Sequence, residues 1–233
     1  QSIEKKETLK KLGAELIEVD AAPFSSPKNY IKQSKKIADD LKKENSNGVY
    51  WANQFDNVIN TESHIQTTAE EIWNQTAGTI DGFTCAVGTG GTLAGVSIGL
   101  KNKNKNIKVA LSDPMGSALF SHIKRKKLES SGSSITEGIG TGRITKNFEK
   151  ALVDEAFQTD DIEALNLVFD LIEQQKIVLG GSSGINIAGA IKLAKQMGPG
   201  KTIVTILCDH GKRYASKIFN KEFLKSKNLP IPK

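Results

Sequence analysis

The segment 88–92, Gly-Thr-Gly-Gly-Thr, has the composition of an anion-binding loop. It lies between an apolar run that predicts a strand, 83–87, and a run that predicts a helix, 93–100. Backbone N–H groups at a helix N-terminus have no partner inside the helix, and the helix dipole favours negative charge there. The segment therefore predicts a phosphate site, and the alternative is a tight turn without a ligand. It is not a dinucleotide fingerprint, because Leu93 stands where G-x-G-x-x-G requires glycine.

A second glycine-rich segment, 180–184, reads Gly-Gly-Ser-Ser-Gly and fits the pattern G-x-S-x-G around Ser182. This pattern occurs in the nucleophile elbow of serine hydrolases, which also need an acid and a histidine further along the chain. The only later histidine, His210, directly follows Asp209, and adjacent residues point in different directions. The competing interpretation is that Ser182 presents its hydroxyl to a ligand at a helix N-terminus.

The remaining histidines, His64 and His122, have no metal-ligand spacing to cysteine, histidine or carboxylate residues. We expect both to be surface or helix-packing residues, and we predict no metal site. No pair of carboxylates has the arrangement of an acid–base couple.

Composition narrows the class of protein. The chain has 233 residues and a formal net charge of +6, carried mostly by scattered lysines. Proteins that recognise nucleic-acid bases favour arginine, and this chain has only three arginines, so we predict no nucleic-acid partner. No apolar run approaches the ~20 residues of a membrane helix, and no signal peptide is apparent. Two cysteines, Cys85 and Cys208, suit a reducing compartment, so we expect a cytoplasmic protein, with an organelle as the alternative.

Apolar runs that predict strands alternate with amphipathic stretches that predict helices, which indicates an α/β fold with a parallel sheet covered on both faces. A polar loop near residue 60 separates a small αβαβ portion, 1–60, from the remainder, 61–233. Ligands in such folds bind at the carboxyl ends of the strands. The predicted strands are 15–19, 49–51, 83–87, 107–112, 152–158, 177–179 and 202–208. The last helix is predicted to begin at the segment DHGKRYASKIF, from residue 209.

Taken together, the motifs resemble those of the cysteine synthase (O-acetylserine sulfhydrylase) family, pyridoxal phosphate (PLP) enzymes of fold type II. The matching blocks occur in the family's order along essentially the whole chain. They are QFDN (54–57) with Asn60, H-x-x-T-T (64–68) with EIW (71–73), GTGGT (88–92), EGIGTG (137–142), GGSSG (180–184) and D-x-G-x-R-Y (209–214).

The resemblance implies a tryptophan-synthase-β-like fold, with parallel sheets in three αβα layers. It makes 1–60 the remainder of a small mobile domain and 61–233 a large PLP-binding domain. It also implies that Gln54 contacts the substrate carboxylate, that Gly138 lines the substrate side of the ring and that Ser182 hydrogen-bonds the pyridine nitrogen. The cofactor phosphate would be held by Gly88, Thr89, Gly90, Gly91 and Thr92.

The implied reaction replaces the acetate of O-acetylserine with sulfide and yields L-cysteine. The resemblance further implies a homodimer and serine acetyltransferase as a partner. A relative that uses another nucleophile or O-phosphoserine, such as a cystathionine β-synthase, is the first alternative. A non-catalytic fragment and a serine hydrolase acting through Ser182 are the others.

Two family motifs do not occur in this sequence. One is S-x-K-[DN]-R, which carries the Schiff-base lysine, and the other is T-S-G-N-T, which binds the substrate carboxylate. Both are expected before Gln1, so the chain looks like the C-terminal two thirds of a family member. We therefore assign no catalytic residue, and we expect no cysteine synthesis by this polypeptide alone.

Overall fold

The protein is described by a computed structural model covering residues 1–232. Its centre is a parallel sheet of four strands in the order β3-β2-β1-β4. The register places Thr84 of the first strand opposite Ala110 of the second and Thr205 of the fourth. The strands are β1 (Gly82–Cys85), β2 (Lys108–Pro114), β3 (Glu155–Thr159) and β4 (Ile203–Thr205).

Helices cover the sheet on both faces, as the alternating pattern predicts. The α-helices are α1 (Ile3–Lys11), α2 (Tyr30–Glu44), α3 (Ile59–Gln66), α4 (Thr68–Gln75), α5 (Gly91–Lys103), α6 (Leu119–Arg125), α7 (Asp161–Gln175), α8 (Gly181–Met197) and α9 (Lys221–Ser226), with 3₁₀ turns at Phe148–Lys150 and Gly211–Tyr214. α5 packs on one face together with α3 and α4, and α8 packs on the other face together with α7.

The two faces of the sheet differ in chemistry. On the α5 face, Phe83 and Leu111 of the sheet are fully buried against Leu93 in an apolar core. On the α8 face, the hydroxyls of Thr84 and Ser112 lie 2.8 Å apart in a hydrogen bond. A Cβ atom on Gly189 of α8 would lie 1.7 Å from the Ser112 hydroxyl, so the close approach of this helix requires glycine.

Three of the predicted strands do not form. Residues 15–19 and 49–51 have no regular secondary structure and no ladder partner within residues 1–232, and a strand exists only through hydrogen bonds to a neighbour. In the segment 177–179, only Leu179 pairs, in an isolated bridge with His210.

The helix predicted from residue 209 is also wrong at its start. The imidazole Nδ1 of His210 accepts the backbone N–H of Lys212 and caps a short 3₁₀ turn instead. A regular helix begins only at Lys221, after Asn220 caps it by accepting two backbone N–H groups.

Candidate functional site

The 88–92 loop connects β1 to the N-terminus of α5, as the sequence predicts. Gly90 adopts the left-handed conformation (φ 95°, ψ −13°) and is the N-cap of this helix. Within residues 1–232, the backbone N–H groups of Gly88, Thr89 and Gly90 donate no hydrogen bond. These donors join the unpaired N–H groups of the first turn of the 13-residue helix α5. The loop therefore concentrates free donors and positive potential at one point.

Glycine is required in this loop because neighbouring segments contact it directly. A Cβ atom on Gly88 would lie 2.2 Å from the carbonyl oxygen of Gly138. A Cβ atom on Gly91 would lie 2.1 Å from the Asn60 side-chain oxygen. The glycines thus bring the loop against the 137–142 segment and against α3, at the carboxyl edge of the sheet.

Two side chains of α3 reach the threonine hydroxyls of the loop. The amide nitrogen Nδ2 of Asn60 donates to Thr89 Oγ1 at 2.9 Å. The Nε2 atom of His64 lies 3.1 Å from Thr92 Oγ1, and its Nδ1 atom lies 2.8 Å from Thr68 Oγ1. Burial lowers the pKa of His64. The interpretation of His64 as a surface or packing residue missed this contact, although its i,i+4 spacing from Asn60 places both side chains on one helix face.

Ser182 lies in the first turn of α8 and is buried. The same helix joins the ends of two strands, because Asn186 accepts the N–H of Ala86 at 2.6 Å and donates to the carbonyl of Ile206 at 2.7 Å. Ser182 is therefore held at the same edge of the sheet as the 88–92 loop, which is the arrangement that the sequence predicts.

The hydrolase alternative finds no support in the geometry around Ser182. Asp209 Oδ2 accepts from the hydroxyl of Tyr214 at 2.7 Å, and the Nδ1 atom of His210 accepts from the backbone N–H of Lys212 at 3.1 Å. Among residues 1–232, no hydrogen bond joins Ser182 to a histidine or Asp209 to His210. Ser182 therefore has no adjacent base to activate it as a nucleophile.

The 137–142 segment is held by charge at one end. The Glu137 carboxylate is nearly buried and accepts from Lys5, from Lys217 and from the backbone N–H of Ser2. Burial alone would raise the pKa of Glu137, but the two lysines hold it below its usual value. The next residue, Gly138, has φ 82° and open space where a side chain would lie.

Gln54 is fixed through its backbone while its side chain is exposed. Its carbonyl oxygen accepts from Asn60 Nδ2 and from Asn147 Nδ2, both at 3.0 Å. Next to it, Asp56 forms a two-pronged ion pair with Arg143, at 3.1 and 3.0 Å. The 54–57 segment is thereby tied both to α3 and to the end of the 137–142 segment.

Sequence reasoning did not single out Asp113, at the carboxyl end of β2. Burial raises its pKa to about 6, although the backbone N–H of Phe120 donates to its Oδ2 atom at 2.7 Å. Its Oδ1 atom is buried and has no partner within residues 1–232.

Comparison with known proteins assigns the family. A family model described as pyridoxal-phosphate dependent enzyme matches residues 1–209. The chain belongs to this family. Pyridoxal phosphate is accordingly the cofactor of this family.

The relatives share a common name. Cysteine synthase 1 of Neurospora crassa is 43% identical over 234 residues, which cover 98% of this chain and 61% of the relative. Cysteine synthase 1 of Emericella nidulans is 42% identical over 240 residues, covering 100% of this chain and 64% of the relative. The chain thus spans less than two thirds of the length of these relatives.

A solved structure shows the same fold. The O-acetylserine dependent cystathionine beta-synthase from Helicobacter pylori superimposes with a TM-score of 0.80 and 29% identity, covering 93% of this chain and 66% of that protein. This likeness confirms the expected α/β class of the PLP-dependent enzyme. Within residues 1–232, no helix is both long and apolar enough to cross a membrane. The same residues contain no group of three or more His, Cys, Asp or Glu side chains placed to hold a metal ion.

Proposed function

We propose that this chain is the PLP-binding part of a cysteine synthase, which replaces the acetate of O-acetylserine with sulfide. The observation that carries the proposal is the pairing, at one edge of the sheet, of the donor-rich 88–92 loop with the buried, uncharged Ser182. The names of the relatives support the choice of substrates.

The donors at this edge fit the two polar ends of PLP. Gly88, Thr89 and Gly90 would bind the phosphate through their free N–H groups, with the first turn of α5 behind them. Ser182 would hydrogen-bond the pyridine nitrogen. When bound, PLP supplies an electron sink for elimination and replacement at the β-carbon of an amino acid.

A serine beside the ring nitrogen limits the strength of that sink. A carboxylate would hold the nitrogen protonated, whereas a neutral hydroxyl does not. The arrangement suits replacement at the β-carbon.

Gln54 and Gly138 would serve the substrate. The exposed amide of Gln54 would donate to the substrate carboxylate, while its backbone is fixed by Asn60 and Asn147. The open space beside Gly138 leaves room on the substrate side of the ring. We retain the division into a small domain, 1–60, and a larger cofactor-binding domain, 61–233, as part of the proposal.

A second candidate function is a β-replacement that makes cystathionine. The Helicobacter pylori structure favours it, because that protein is named as a cystathionine beta-synthase that depends on O-acetylserine. Supplying the parent enzyme with O-acetylserine and either sulfide or homocysteine as the nucleophile separates the two. A preference for homocysteine would favour the cystathionine-forming reaction over cysteine synthesis.

For assembly and location, we propose a homodimer in the parent enzyme, with serine acetyltransferase as a binding partner, in the cytoplasm or an organelle. Light scattering of the parent enzyme, alone and mixed with the acetyltransferase, tests the first two points. A parent enzyme that is monomeric and does not bind the acetyltransferase would refute both proposals.

The cofactor assignment is tested on the polypeptide itself. Equilibrium dialysis should show that residues 1–233 bind PLP reversibly and that inorganic phosphate competes for the same site. Borohydride reduction followed by peptide mapping should find no single modified lysine, because no lysine stands in the S-x-K-[DN]-R context. Absence of PLP binding would refute the cofactor assignment. Full modification of one lysine, with cysteine made from O-acetylserine and sulfide, would show that the chain is catalytic on its own.

A further inference from the structure

The direction of the hydrogen bond between Asn60 and Thr89 is fixed by a third group. The carbonyl oxygen of Gln54 can only accept, so the side-chain atom of Asn60 that lies 3.0 Å from it is the amide nitrogen. The same nitrogen lies 2.9 Å from Thr89 Oγ1. The Thr89 oxygen therefore accepts from Asn60, and its own O–H hydrogen is left free.

The tautomer of His64 decides which threonine hydroxyl keeps a free hydrogen. Within residues 1–232, the hydroxyl of Thr68 has one hydrogen-bond partner, the Nδ1 atom of His64. The two tautomers leave different hydroxyl hydrogens free: that of Thr68 if Nδ1 carries the proton, and that of Thr92 if Nε2 carries it. We adopt the second tautomer, in which Nδ1 accepts from Thr68 and the ring proton lies on Nε2, because the free hydrogen then belongs to the 88–92 loop, where an anion would accept it.

An Nε2–H group on His64 points at Thr92 Oγ1, 3.1 Å away. The Thr92 oxygen then accepts, and its O–H hydrogen is free, as in Thr89. Burial also lowers the pKa of His64, which favours the neutral ring with a single N–H. Both threonines of the loop are thus acceptors toward α3 and free donors toward the other side.

We propose that Asn60 and His64, one turn apart on α3, are positioning residues that donate to Thr89 and Thr92 and so direct both hydroxyl hydrogens to a phosphate group held by the 88–92 loop. The inference rests on the proposed function and adds how its phosphate site is prepared. A hydroxyl that is already oriented as a donor binds an anion without first breaking another hydrogen bond.

The tautomer can be read directly by nitrogen-15 NMR of the imidazole groups, without any ligand. The chain has three histidines, and the His64→Gln variant identifies the signals of His64. We expect the Nε2–H tautomer, both in the free protein and with inorganic phosphate present. An Nδ1–H tautomer would overturn the inference.

The effect on binding is tested by titrating inorganic phosphate and PLP into matched variants. Asn60→Asp puts a group that only accepts beside Thr89, so it should weaken binding by roughly tenfold or more. Gln66→Glu makes the same amide-to-carboxylate change at an exposed position of the same helix. It should leave the affinity within about twofold, since exposed charges are strongly screened. Equal losses in the two variants would contradict the proposal.

A double-mutant cycle covers the case in which Asn60→Asp does not fold. His64→Ala should weaken phosphate binding in the wild-type background and have little further effect in Thr92→Val, because His64 acts through that hydroxyl. Thermal melts confirm that each variant is folded. Additive losses would show that His64 acts by another route.

The outcomes separate this inference from the function on which it rests. A wild-type protein that binds neither PLP nor inorganic phosphate would refute both. A protein that binds both ligands but shows the Nδ1–H tautomer, or an additive cycle, would refute only the role of the α3 donor pair.

Discussion

Residues 1–60 and residues 61–232 are held in place by different forces. In the first region, Ala38 is the single buried hydrophobic residue among those described, whereas the buried apolar residues of the second region run from Ala69 to Leu224. Leu12 and Tyr50, in the first region, are more than three-quarters exposed. The difference shows that a predicted strand forms only where it can pack in a core and pair with a neighbouring strand.

Polar contacts attach the first region to the second. Ser2 and Lys5 bind Glu137, and Glu4 accepts from the backbone and hydroxyl of Ser216. Helix α1 has no buried residue of its own. Hydrogen bonds and ion pairs therefore carry an attachment that apolar packing provides elsewhere.

The largest expected effect is on the core of the second region. Leu93→Ala should lower the free energy of unfolding by about 3–5 kcal/mol, because the side chain is fully buried beneath the sheet. The matched change Leu12→Ala should have an effect below about 0.5 kcal/mol, since that side chain is 79% exposed. Urea denaturation measures both. Similar losses would show that the first region has an apolar core after all.

The contrast between these regions also explains what the sequence could predict. The four strands of the sheet, all in the second region, coincide with predicted strands because buried parallel strands are continuous apolar runs, whereas 177–179 in the same region contributes only an isolated bridge. Segments 15–19 and 49–51 have the same apolar character, but strand formation depends on a partner elsewhere, which local sequence does not specify. The 88–92 loop and the place of Ser182 were found from motifs. The contact of His64 with Thr92 was not, since it depends on how α3 packs against α5.

The next largest effect concerns ligand binding in the second region. Gly90→Asp should weaken PLP binding by roughly a hundredfold or more, since it strains a left-handed residue, places a Cβ 2.6 Å from the Phe148 backbone nitrogen and puts a carboxylate among the phosphate donors. Gly13 has a similar φ of 85°, and no atom lies within 4 Å of the position that a Cβ would occupy there, so Gly13→Asp controls for the strain of a positive φ and for the added charge, while a thermal melt of Gly90→Asp checks that the contact with Phe148 leaves it folded. Equilibrium dialysis measures both variants. Unchanged PLP binding by Gly90→Asp would remove the phosphate assignment.

Asp113 gives the second region a pH dependence with a definite sign. Its pKa of about 6 lies above the unfolded value near 3.8, so the folded protein holds the proton more tightly. Stability should therefore fall as pH rises between these two values. Asp113→Asn removes the buried charge and should raise the free energy of unfolding by about 1–3 kcal/mol at pH 7, with no gain below pH ~4. Urea denaturation between about pH 4 and pH 7 measures this gain in the free energy of unfolding. A gain that is the same at every pH would contradict the explanation.

Glu137 should show the opposite pH dependence at the junction of the two regions. Its pKa is lowered in the folded protein, so its stabilising contribution is present above the unfolded value of 4.5 and is lost as pH falls through the folded one. Glu137→Gln should cost about 1–2 kcal/mol at neutral pH, with Glu15→Gln, at an exposed position, as its control. Hydrogen exchange should show that α1 loses protection first. Equal protection of α1 in both variants would argue against attachment through Glu137.

The smallest expected effect is on the exposed ion pairs of the first region. Lys35 and Asp39 form an i,i+4 pair on α2, and both side chains are about half exposed. Solvent screens such a pair, and its order, with the lysine first, is the less favourable one on a helix. Lys35→Ala should therefore leave the urea midpoint unchanged at low and at high salt, because alanine also favours the helix. A urea midpoint that is lower at low salt but unchanged at high salt would show that exposed surface charge also stabilises the first region. The nearly buried contacts of Glu137 would then not be the main electrostatic stabilisation there.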